Sequence, residues 1–186
     1  MKTKEMVYVA MFAAIMCVLG FLPPIPIPFS PVPITSQTLG VMLAGGLLGA
    51  RLGSISMLVF LAIVAVGAPV LSGGRGGVAA FIAPTAGYLW AWPVAAFVMG
   101  YLTERLWNGL TLWKAFLVNI LGGILLIYAI GTPVVTFVTN MGMREAIFSN
   151  FIYIPGDLIK ALIAAYIAVK MKAVRPLIEK DRTFVA

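Results

Sequence analysis

Apolar residues in this chain neither alternate nor confine themselves to one helical face. They come in nearly unbroken runs of ~15–20 residues, separated by short stretches rich in Pro, Gly and charge. Runs of that length suit helices rather than the ~10-residue alternating strands of an outer-membrane barrel. The pattern predicts about six helices. The first runs from Glu5 to Phe21, the second from Ser36 to Ala50 and the third from Leu52 to Gly67. The fourth covers Ala86 to Leu102, the fifth Leu112 to Gly131 with a bend on through Pro133, and the last Pro155 to Lys172. A Pro-rich stretch from Pro23 to Pro33, a Gly-rich loop from Ala68 to Thr85 and a polar hinge with Asn140, Arg144 and Glu145 interrupt them. An alternative count merges the second and third segments or makes one re-entrant; Arg51 favours a membrane boundary between them.

Composition turns these helices into membrane spans. Of 186 residues, 62% are hydrophobic and 10% charged, with a mean hydropathy of +1.06. A soluble domain carries roughly a quarter charged residues, so this surface suits lipid. In hydrocarbon every backbone N–H and C=O needs an internal partner, which leaves a helical bundle. The fold expected is an all-α integral membrane protein in one domain, residues 1–186. The first helix lacks a small-residue cleavage site behind a short core, so it does not read as a removed signal peptide.

Charge placement then orients the bundle. One side collects Lys2, Lys4, Arg51, Arg105, Lys114, Lys170, Lys172, Arg175, Lys180 and Arg182; the other holds Arg75 and Arg144, with Lys160 inside a helix. The positive-inside rule puts both termini in the cytoplasm of a multi-pass cytoplasmic-membrane protein. The net charge of +7 is therefore a topology signal touching anionic lipid rather than a nucleic-acid patch. There is no histidine, one cysteine (Cys17), and six scattered acidic residues. That pattern points to no metal centre, no cofactor and no paired-carboxylate catalysis.

With both ends inside, the three irregular stretches face outward, and the unusual residues sit there. In Leu71-Ser-Gly-Gly-Arg-Gly-Gly-Val78, glycines including Gly74 and Gly76 permit close backbone approach and positive φ. Arg75 offers a planar fork suited to a carboxylate; equally, the stretch reads as a solvated turn. It lacks P-loop spacing. In Ile154-Pro-Gly-Asp157-Leu-Ile-Lys160, Pro155 fits a first helical turn. Asp157 would then lie at the positive end of that helix, with Lys160 on the same face. Ionisable groups at membrane depth default to a functional site, against the alternative of an ion pair pinning a helix start. Ala10-x-x-x-Ala14 and Gly45-x-x-x-Gly49 are small-residue stripes that let helices approach closely. Tyr88, Trp90 and Trp92 near a helix end read as interfacial aromatics.

Four blocks in order carry a resemblance: Pro31-Val-Pro-Ile-Thr-Ser-Gln37-Thr-Leu-Gly-Val-Met-Leu-Ala-Gly45, Gly73-Gly-Arg-Gly-Gly77, Pro84-Thr-Ala-Gly-Tyr-Leu89 and Ile154-Pro-Gly-Asp-Leu-Ile-Lys-Ala161. Together they resemble BioY, the biotin-specific substrate-binding (S) component of energy-coupling factor (ECF) transporters. The resemblance implies a six-helix fold holding the vitamin near the outer face. It also implies partners: a transmembrane coupling protein and two ATP-binding-cassette (ABC) ATPases. Asp157 matches the aspartate expected to accept the ureido N–H groups, and Lys160 the lysine that meets the valerate carboxylate or balances Asp157. Arg75 with its glycines matches a lid-like loop, while Gln37, Thr85 and Tyr88 match positions near the cavity. Ala10 and Ala14 match the stripe that docks on the coupling protein. Ala86 stands where the family more usually has glycine. An S component for another vitamin, a membrane-embedded lipid enzyme and a non-transporting scaffold are the competing readings.

Overall fold

A computed structural model describes residues 1–28 and 30–174, with only the backbone of 173 and 174. Arg175, Lys180 and Arg182 lie outside the described residues. The chain is built from α1 (Thr3–Gly20), a hairpin of β1 (Ile25–Ile27) and β2 (Ser30–Ile34), α2 (Gln37–Ala65) and α3 (Ala86–Arg105). Then come α4 (Leu112–Asn119), a wide π-helical segment (Ile120–Leu126) continuing into α5 (Ile127–Thr139), and α6 (Met143–Val174). The runs Thr3–Gly20, Gln37–Ala65, Leu112–Thr139 and Met143–Lys172 are each long and apolar enough to cross a membrane.

The second and third expected helices are both present, joined end to end within α2 with no loop between them, so six helical segments lie in five runs. The α2 run is sharply broken at Gly49, where φ is 80° and ψ −177°. A methyl group on Gly53 would stand 2.8 Å from the Ala44 carbonyl oxygen, whereas nine residues along a straight helix span about 13 Å. The run therefore folds back on itself. Its second half returns to the level where it began, so that Val64 accepts from the Gly77 N–H at 2.7 Å. The new N-terminus at the break is capped from α3: Glu104 Oε1 accepts the Ala50 N–H at 2.9 Å. Gly100 packs directly on this break, and Gly45 lies against Ala96. The glycine stripe is thus spent on internal packing, whereas Ala10 and Ala14 lie on the exposed face of α1.

Two further expectations change. The Pro-rich stretch is an antiparallel hairpin, pairing Ile25 with Ile34 and Ile27 with Ser30. Prolines are tolerated because both strands are edges. The last helix begins at Met143, not Pro155, which lies inside it. Asp157 is therefore four turns in, and the dipole of a helix start cannot be what stabilises it. The upstream turns are held instead by a buried side chain: Asn150 Nδ2 donates to Thr132 Oγ1 at 2.7 Å and its Oδ1 accepts from the Tyr88 hydroxyl at 3.1 Å. The fifth expected helix runs on through Pro133 to Thr139. Its wide turn seats Gly122 against Met99 and Gly123 against Met42.

The core lies between α1, α2, α3, the π-helical segment and α6, around Met16, Met42, Met57, Phe60 and Met99. The α1 C-terminus, both ends of α2, the start of α3 and the hairpin meet at one end of the bundle. Glu104 at the Gly49 break and Lys172, 5.5 Å above the Trp107 ring, mark the other.

Candidate functional site

A mostly apolar cleft opens at the hairpin end, about 640 Å³ with its mouth included. The hairpin supplies Val32, Pro33 and Ile34, and the start of α2 supplies Gln37 and Thr38. The Gly-rich loop contributes Leu71 and Arg75, and α3 contributes Thr85, Tyr88, Leu89 and Trp92. Ile127 and Tyr128 of α5 and Tyr153, Asp157 and Lys160 of α6 close the wall.

Asp157 is 4% exposed, so its carboxylate depends on protein donors. Lys160 Nζ lies 2.7 Å from Oδ1, Thr38 Oγ1 donates to the same oxygen at 3.3 Å, and the Tyr128 hydroxyl donates to Oδ2 at 2.6 Å. Lys160 in turn donates to the Thr35 carbonyl at 2.6 Å and to Thr38 Oγ1 at 3.0 Å. An ammonium has three donors, and all three are engaged by the protein. The pair thus ties α6 to the chain linking the hairpin with α2. One turn earlier, Tyr153 donates to the Val32 carbonyl at 2.6 Å and contacts Ser30 Oγ. Its ring meets Tyr128 edge-on at 6.4 Å.

Arg75 sits at the mouth on a tight turn closed by the Leu71 N–H to its carbonyl at 3.0 Å. Gly73 at φ 82° and Gly74 at φ 69° make that turn, which other residues enter only under strain. Arg75 Nε donates to the Ser72 carbonyl at 3.3 Å and Nη1 to Thr85 Oγ1 at 3.5 Å. Both bonds are long, and most of its five N–H groups stay available.

The cleft therefore gathers Asp157, Lys160, Arg75, Gln37, Thr85 and Tyr88. Gly74 and Gly76 are not part of its wall; Gly76 is required because a side chain there would collide with the Ala68 carbonyl. Ala86 is buried beside the cleft without lining it. Of the aromatics expected at the interface, Trp90 is 55% exposed, but Trp92 is buried in the wall, 6.0 Å from Phe60. Its indole nitrogen is, among the described residues, the one buried side-chain polar atom without a partner. Thr38, Tyr128, Tyr153 and Asn150 escaped sequence reasoning. The signal was present on α6: Asn150, Tyr153, Asp157 and Lys160 recur at spacings of three, four and three, one polar stripe on an apolar helix.

A polytopic helical bundle with a charged pair sunk in a covered, largely apolar cleft defines a membrane-embedded protein that holds a small solute. The chain belongs to the BioY family, whose model matches residues 1–177. It is 51% identical to the biotin transporter BioY of Rhizobium etli, covering 89% of this chain and 91% of that protein. It is 46% identical to the probable biotin transporter BioY of Bacillus subtilis, over 92% and 91% of the two chains. A crystal structure of the S component for biotin from an ECF-type ABC transporter superposes with a TM-score of 0.91 at 37% identity. That match covers 95% of this chain and 94% of the other. The family is one of multi-pass transport proteins, in keeping with the spans described above.

Proposed function

We propose that the chain binds biotin with high affinity and takes it up as the substrate-specific component of an ECF-type ABC transporter. It works with a transmembrane coupling protein and two ABC ATPases, and it binds and transports rather than catalyses. The carrying observation is the Asp157 carboxylate, buried in the cleft wall and held by Lys160, Thr38 and Tyr128. Biotin presents two ureido N–H donors, a carbonyl, an apolar ring system and a carboxylate tail. Asp157 is the acceptor for the ureido donors, with a lone pair still open and Tyr128 able to yield another. The apolar wall takes the rings, with Thr85 and Tyr88 completing it.

Lys160 has no free donor, so its role is to balance Asp157. Arg75, at the mouth with donors to spare, is the cation for the carboxylate. Gly74 and Gly76 serve by shaping its turn. The cleft end faces outward, since Lys2, Lys4, Arg51, Arg105, Lys114, Lys170 and Lys172 belong to the other end. Both termini then lie in the cytoplasm of a cell bounded by the cytoplasmic membrane. Ala10 and Ala14, exposed on α1, dock on the coupling protein.

The test is equilibrium binding of biotin to the detergent-purified chain, with desthiobiotin, thiamine and riboflavin as competitors. Tight binding that thiamine and riboflavin leave untouched is expected. A folded sample that ignores biotin, or prefers another vitamin, removes this function.

A further inference from the structure

Gln37 lines the cleft, but its amide is fully engaged elsewhere. The residue is 1% exposed. Nε2 donates to the Met16 carbonyl of α1 at 3.2 Å and to the Val70 carbonyl at 3.1 Å. Oε1 accepts the Ser72 N–H at 3.2 Å and the Ser72 hydroxyl at 3.3 Å. Two carbonyls on one side and a backbone N–H on the other leave only one orientation of the amide that makes these bonds. Two donors and two acceptor sites are what an amide has, so nothing remains for a ligand.

The bonds form a line. Met16 and Val70 anchor Gln37; Gln37 holds Ser72; the Ser72 carbonyl accepts from Arg75 Nε at 3.3 Å. The turn bearing Arg75 rests on left-handed glycines at 73 and 74, which add no side-chain packing of their own. Gly73 and Gly74 are exposed, whereas Ser72 is buried. Gln37 is thus the buried fixture that sets where this loop begins. An unpaired buried amide or N–H is costly, so the loop cannot drift without breaking several bonds at once.

We propose that Gln37 is a positioning residue, not a ligand contact: through Ser72 it holds the Arg75 guanidinium where a ligand carboxylate meets it. This rests on the reading of Arg75 given above. It predicts that Gln37 matters for the carboxylate end of biotin and not for the ureido end.

The experiment compares biotin with its methyl ester, which keeps the rings and loses the charge, on the purified full chain. Arg75→Ala is expected to lose about tenfold in affinity for biotin and nothing for the ester. Gln37→Met, similar in volume and without the amide, is expected to do the same, with the ester within about twofold. Gln37→Met added to Arg75→Ala should change biotin binding little, because the two act on one contact. Should Gln37→Met not fold, Ser72→Ala carries the test, with about a threefold loss for biotin alone. Equal losses for both ligands, no loss for either, or losses that multiply in the double variant overturn the proposal while leaving Arg75 in place. An Arg75→Ala variant that treats both ligands alike overturns the Arg75 reading and this proposal together.

Discussion

Lys160 Nζ stands 2.7 Å from Asp157 Oδ1, three residues away on the same helix, in the wall of the cleft. Around that contact Thr35, Thr38 and Tyr128 supply the remaining bonds. The ammonium is consumed by the protein, while the carboxylate keeps room for a donor. The pair is a neutralised acceptor, suited to an uncharged ureido group.

Asp157→Asn should weaken biotin binding by ~2–3 kcal/mol, since it loses charge-assisted bonds and presents a competing N–H. Titration calorimetry on detergent-purified protein reads this, with thermal unfolding as the folding control. An unchanged affinity in a folded sample would remove Asp157 from the site.

Lys160→Met should destabilise the chain by ~3–5 kcal/mol, because it strands a buried carboxylate. The combined variant Asp157→Asn with Lys160→Met should be less unstable than the two single losses summed, by at least ~1 kcal/mol. Thermal unfolding of all four proteins measures the coupling. Simple additivity would mean the pair is not coupled.

Tyr153→Phe keeps the ring and removes the hydroxyl's hydrogen bonds to the Val32 carbonyl and with Ser30 Oγ, each worth ~1 kcal/mol. The hairpin over the cleft should loosen, and biotin should leave roughly fivefold faster. Dissociation of labelled biotin and hydrogen exchange at residues 30–34 report this. Unaltered rates would show that the hairpin is held by other contacts.

Gly49→Ala forces a side chain into a φ of 80° and against Glu104. It should destabilise the fold by at least ~1–3 kcal/mol. Gly156→Ala is the matched control: it lies in α6 with open space around it. That change should be neutral or stabilising by ~0.4–1 kcal/mol. Melting curves in one detergent separate them.

Ala10→Trp with Ala14→Trp should leave biotin binding by the purified chain intact and abolish uptake in cells, because a bulky ring on the exposed face of α1 blocks close helix approach. Uptake equal to the parent would place the docking face elsewhere.

Much of this protein was determined along the chain itself. Long apolar runs with scarce charge dictate a helical bundle in lipid, because the other fold that satisfies the backbone there, a closed barrel, needs short alternating strands. Lys and Arg spacing alone separates its two ends. Asp157, Lys160 and Arg75 stand out in the sequence because charge is rare at such positions. What needed the tertiary structure were relations between distant segments. Pro155 reads as a helix start, yet Asn150, bonded to Thr132 and Tyr88, holds the upstream turns in the same helix. The fold-back at Gly49 depends on Glu104 and Gly100 arriving from α3. Tyr128 is one more aromatic in an apolar run until α5 meets α6 and its hydroxyl finds Asp157. Gln37 shares a motif with cleft residues, but its bonds to Met16, Val70 and Ser72 make it a strut. Local periodicity encodes burial and span, whereas hydrogen-bond partners far apart in sequence are chosen only when the helices pack.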